Sequence, residues 1–166
     1  MPVTKAGAPG ANLDTIRRRL DRAVEDLGKT QETPGPQPGG WTPAPQLTQQ
    51  QADKAQNPLA RQAWRAGNVL WGTRAQSGGG SAGWTPVLYP KHNLQKQDLA
   101  NLQNVALRVL ASVIPPGATE VPAEVMDNLP AVVDAYWKNT FSPRNQLLPE
   151  QRDALVQLIR SAAEGE

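Results

Sequence analysis

One histidine, His92, and no cysteine are the whole imidazole and thiol inventory of this 166-residue chain. A tetrahedral metal site is built from such ligands, so neither a two-histidine nor a thiolate centre can form. His92 stands between Lys91 and Asn93, where a helix is expected to start, and reads as a surface or capping residue. Glu120, Glu124 and Asp127 have the spacing of one helical face and could in principle hold Mg²⁺. Carboxylates near a helix N-terminus are already accounted for by the macrodipole, and that reading is preferred. The run Gly78-Gly79-Gly80 lacks the Lys-Ser/Thr and the strand-to-helix context of a phosphate loop. Nor is a nucleophile elbow expected. The residues predict a non-enzymatic protein with no catalytic residue, no metal and no cofactor.

Binding chemistry is better represented. Arg61, Arg65 and Arg74 lie near Trp64 and Trp71, and charge beside stacking rings is what single-strand nucleic-acid binders use. Tryptophans seven apart on a helix are more often packing. Arg17, Arg18, Arg19 and Arg22 are the densest basic cluster, but Asp14, Asp21, Glu25 and Asp26 interleave with them. Consecutive arginines also fan around a helix, so a solvated, salt-bridged face is the preferred reading. The prolines at 34, 36, 38, 43 and 45 include no pair three residues apart, which argues against SH3-type recognition.

The most informative pattern is a repeat. Gly40-Trp41-Thr42-Pro43 recurs as Gly83-Trp84-Thr85-Pro86. Tryptophan gains several times RT by leaving water, and both copies sit in Pro/Gly-rich chain with few apolar neighbours. One reading folds both rings back onto the chain itself. The other seats each ring in a partner's pocket, with Thr-Pro setting the exit direction of the backbone. Two like anchors suit a partner that shows the same pocket twice, as a symmetric oligomer does.

These residues must be positioned by helices. Asn12 is a good N-cap, and Leu13, Ile16, Leu20, Ala23, Val24 and Leu27 recur at helical spacing up to Gly28, a natural stop. Isolated, such a helix is marginal, so its stripe, with Ile16 and Leu20 at the centre, is expected to dock on a partner. Residues 29–47 read as an extended linker because five prolines remove donors and fix φ. Thr48 with Gln51 has the form of a capping box, and Asn57-Pro58 opens a helix to about Trp71. From Asn93 on, Leu99, Leu102, Ala106, Val109 and Val113 form a seam that Pro115-Pro116 ends. Short helices follow from Pro122 and Pro130, the latter with a bulky face of Tyr136, Trp137 and Phe141, and a last helix follows Pro149.

Composition sharpens this division. Gly and Pro number 14 and 16, and most precede residue 91. Residues 1–92 hold eleven Lys/Arg and six Asp/Glu, giving +5; residues 93–166 hold six and nine, giving −3, and the two sum to the overall +2. A mainly α protein is expected: a start and amphipathic helix over 1–28, a partner-binding arm over 29–92 with a short helix near 58–71, and a helical bundle over 93–166. No apolar leader and no 20-residue apolar run are present, which predicts a soluble, cytoplasmic product at synthesis and no membrane partner.

A small helical body, a Pro/Gly arm and repeated aromatic anchors resemble in general style the minor structural or assembly proteins of large symmetric complexes, tailed-phage virions among them. No motif assigns the chain to a named family. The leading expectation is an extended clamp or cement subunit, incorporated in a virion or other large particle, with Trp41, Pro43, Trp84, Pro86, Ile16, Leu20, Trp64 and Trp71 meeting protein partners. The alternatives are a soluble adaptor or assembly factor that folds on one partner, and single-strand nucleic-acid binding through Trp64 and Trp71.

Overall fold

The structure, a computed structural model, describes residues 11–43, 45–76, 86–91 and 93–164. It is mainly helical. Asn12, the second residue of strand β1 (Ala11–Asn12), caps α1 (Leu13–Thr30) by accepting the Thr15 amide at 3.1 Å. The capping box of Thr48 and Gln51 opens α2 (Gln49–Ala52), and Asn57 with Pro58 at the first turn opens α3 (Pro58–Leu70). Strands β2 (Thr73–Gln76) and β3 (Pro86–Tyr89) pair antiparallel. There follow α4 (Lys96–Ala111), strand β4 (Glu120–Val121), α5 (Ala123–Asp127), α6 (Leu129–Thr140) and α7 (Pro149–Glu164). Strand β4 returns to pair with β1.

One hydrophobic cluster joins helices from both sides of residue 93. Ile16, Leu20 and Leu27 of α1 and Leu59, Trp64 and Leu70 of α3 meet Leu99, Leu102 and Val109 of α4 and Leu155, Leu158 and Ile159 of α7. The expectation that the compact part begins at Asn93 is therefore corrected. So is the expectation that Ile16 and Leu20 face a partner: both are buried in the chain's own core. The reason is that a tethered stripe is presented to its own bundle at high effective concentration, and the linker between α1 and α3 is long enough to let it dock. Arg19 secures the contact by donating to the Ala162 and Ala163 carbonyls at 2.7 and 3.0 Å, satisfying the open C-terminal end of α7.

Smaller differences have local causes. Helix α1 runs through Gly28 to Thr30, whose hydroxyl donates to the Leu27 carbonyl at 2.8 Å. Helix α4 stops at Ala111, short of the proline pair, because Pro115 disfavours helical backbone at Ile114. Val113 is left exposed beyond the end of the seam. Trp137 is half-buried at the bundle's edge rather than inside it.

Candidate functional site: two tryptophan loops on one strap

The segment read as a linker is a pinned loop. Glu32 and Gln46 exchange both backbone hydrogen bonds, at 3.0 and 2.6 Å, and close its base. At its tip the Gly40 amide donates to the Gln37 carbonyl at 2.9 Å, and the Gln37 amide donates to the Trp41 carbonyl at 2.8 Å. Pro38 and Gly39 occupy the central positions with Gly39 at φ +95°, the residue pattern of a type II turn. Gly40 follows at φ +86°, a second left-handed position that a side chain would resist. Trp41 leaves this turn with 59 % of its surface in water. Thr42 is exposed and Pro43 half-buried beside it.

The loop's foot is fixed to the core through Leu47. Its amide donates to Asn93 Oδ1 at 2.9 Å, and its carbonyl accepts from the Trp64 indole at 2.8 Å and the Leu94 amide at 3.3 Å. Gln51 Nε2 also donates to Glu32 Oε1 at 3.0 Å, tying α2 to the other foot.

The second copy of the tetrapeptide sits in the connection from β2 to β3, with Pro86 as the first residue of β3. Gly83, Trp84 and Thr85 lie outside the described residues, as does His92. The register runs from Thr73 opposite Tyr89 to Gln76 opposite Pro86. Gly72 lets this hairpin approach α3: a Cβ there would stand 2.6 Å from the Tyr89 carbonyl oxygen. The Lys91 amide donates to the Asn68 carbonyl at 3.3 Å, and the Lys91 ammonium pairs with Asp98 in the first turn of α4.

The foot of the first loop and the end of β3 are close in the chain. Tyr89, at the foot of the second, is four residues from Asn93, which holds the foot of the first. Four residues span at most about 14 Å. In each case the tetrapeptide follows one strand of an antiparallel pairing and precedes or enters the other in chain order.

Trp64 and Trp71 are each hydrogen-bonded to the body. Trp64 is 2 % exposed and its indole donor is spent on Leu47, so it offers no open face to a base or a partner. Trp71 ends α3, half-buried, and donates to the Asp98 carbonyl at 2.8 Å. Their proposed stacking role is corrected for Trp64 by its burial, which follows from α3 lying beneath the returning Leu47 segment. Sequence reasoning missed Tyr89, exposed at the end of β3; no alternation of apolar and polar residues marks it in Val87-Leu88-Tyr89. It also missed Asn93 as the loop's clamp, for which no local signal exists.

Among the described residues no group of three or more His, Cys, Asp or Glu side chains could hold a metal ion. Glu120 lies in β4 and accepts from Asn12 Nδ2 at 3.2 Å, while Glu124 and Asp127 lie in α5, so the three do not share one helix. Gly79-Gly80-Ser81-Ala82-Gly83 has the Gly-x-Ser-x-Gly spacing and lies outside the described residues. A nucleophile elbow requires a strand followed by a helix, and this run connects two antiparallel strands. No helix among the described residues is long and apolar enough to cross a membrane. No protein-family model matches the chain, and no significant similarity to a curated protein or a solved structure is found.

Proposed function

We propose that the protein is a non-enzymatic structural or assembly component that fastens onto a larger, symmetric assembly through two tryptophan-bearing loops. The helical body is the platform, and the Pro/Gly-rich segments are the clamp. The observation that carries this reading is Trp41, 59 % exposed at a turn that the Gly40–Gln37 and Gln37–Trp41 backbone hydrogen bonds close. An indole presented this way gains on binding without a large cost of ordering its loop. The repeat at Trp84 supports a second anchor of the same kind, and linked anchors multiply affinity when the partner offers both pockets within reach. A particle such as a virion, built from many copies of one subunit, meets that condition.

The test is sedimentation of the native particle or complex from cells that carry wild-type or variant chain. Wild type travels with the heavy fraction in fixed stoichiometry. Trp41→Ala and Trp84→Ala each weaken association by about 2 kcal/mol or more, the usual cost of truncating an aromatic hot spot, and the double variant stays at the top of the gradient. Unchanged sedimentation of the double variant refutes the clamp. Salt-sensitive co-sedimentation with nucleic acid in place of protein would favour the nucleic-acid alternative.

A further inference from the structure

Three aromatic rings meet where the end of α3 lies near the end of α6. Trp71, Trp137 and Phe141 line one cleft of about 350 Å³, with Leu70, Asn145 and Gln151 in the same lining. All three rings are half-buried. They are also held in place. Trp137 and Phe141 stand one turn apart at the end of α6, with centroids 4.3 Å apart and planes tilted by 37°. Tyr136 meets Phe141 edge-on at 6.4 Å. The Trp137 indole donates to the Asn145 carbonyl in the 3-10 turn Pro143–Asn145, and the Trp71 indole donates to the Asp98 carbonyl at 2.8 Å. Gln151 is equally committed: its side-chain nitrogen donates to the Leu70 carbonyl at 3.1 Å, and its oxygen accepts the Leu148 amide at 2.9 Å.

We propose that this cleft binds a small quaternary ammonium ligand, with the trimethylammonium head among the three rings. The inference is independent of the tryptophan loops. The lining selects the ligand class. A sugar or a nucleotide base needs donors and acceptors. Both indole N–H groups and the Gln151 amide are already spent on backbone, which leaves the Asn145 side chain alone among the described lining residues to serve one. An anion finds no cationic side chain there, because every described lining residue is uncharged. A primary ammonium would bring three N–H donors with too few acceptors to meet them. A quaternary ammonium brings none. Its methyl groups bury against Leu70 and the rings, and its charge is drawn to the negative faces of aromatic rings, tryptophan most strongly. The volume suits it as well, since small-molecule sites start at about 300 Å³. A neutral group of the same shape would gain the burial without the electrostatic attraction, and the test turns on that difference.

The test is titration of the full chain with choline at constant ionic strength, followed through the indole N–H signals in proton–nitrogen NMR spectra. The Trp71 and Trp137 signals are expected to shift with a dissociation constant on the order of 1 mM, while that of Trp64, buried and bonded to Leu47, stays in place. The neutral carbon isostere of choline is expected to bind at least about ten-fold more weakly. Phe141→Leu, which keeps an apolar side chain and removes one ring face, is expected to weaken choline binding at least about three-fold with circular dichroism unchanged. Equal binding of choline and its isostere overturns the proposal, because the cleft would then be merely apolar. That comparison uses the wild-type chain, so it stands even if the variant fails to fold. Absence of any shift at Trp71 and Trp137 up to about 50 mM choline overturns it equally.

Discussion

Replacing Trp64 by Phe tests how the core supports the exposed loop. Trp64 is buried, and its indole N–H donates to the Leu47 carbonyl at 2.8 Å. Phenylalanine keeps an aromatic ring but removes the donor and about 40 Å³ of side chain; at about 24 cal/mol per Å³ of unfilled cavity the volume costs about 1 kcal/mol. Losing one buried hydrogen bond costs about 1 kcal/mol more. The Leu47 carbonyl keeps its bond from the Leu94 amide at 3.3 Å, so the larger penalty for an orphaned acceptor does not apply. The sum, about 2 kcal/mol, is a large share of a typical domain's stability and lowers the melting midpoint by about 4–8 °C in a chain of this size. Urea unfolding followed by far-UV circular dichroism measures the first quantity, and a thermal scan the second. Because Leu47 is the loop's foot, Trp64→Phe also speeds amide exchange at Gln46 and Leu47 relative to α4. A stability loss below about 0.5 kcal/mol would mean that Trp64 is not packed beneath Leu47, and the loop's attachment to the core would fall with it.

Ile16→Asp with Leu20→Asp should unfold the whole bundle, since each places a carboxylate in a sealed core at a cost above about 4 kcal/mol; a helical domain surviving at wild-type stability would return α1 to the role of a separate docking helix. Leu102→Ala should cost about 2–5 kcal/mol in the same urea assay, because the side chain is 1 % exposed between helices. Gly39→Ala should cost about 1 kcal/mol, the strain of an L-residue at φ +95°, and should change the quenching of Trp41 without altering helical content. Equal stability and quenching would show that no turn of this kind holds the loop.

Local chemistry was legible in the chain, and long-range closure was not. Asn12, the Thr48–Gln51 box and Asn57-Pro58 start helices where the sequence places them, because a cap acts within one turn and needs nothing distant. The stripes of α1, α3, α4 and α7 were likewise readable, since helical period alone decides which residues share a face. What covers each stripe was not readable. Ile16 and Leu20 have the spacing of a docking helix as much as of a core helix, and only the packing of α1 on α3, α4 and α7 decides between them. The same holds for the tryptophans. Trp41 and Trp64 are chemically one residue, yet 59 % of one and 2 % of the other meet solvent. The difference arises because Asn93 draws Leu47 down over α3, while the Pro38-Gly39 turn carries Trp41 away. Such contacts join residues tens of positions apart, and their free energy appears only once the chain has closed the loops between them.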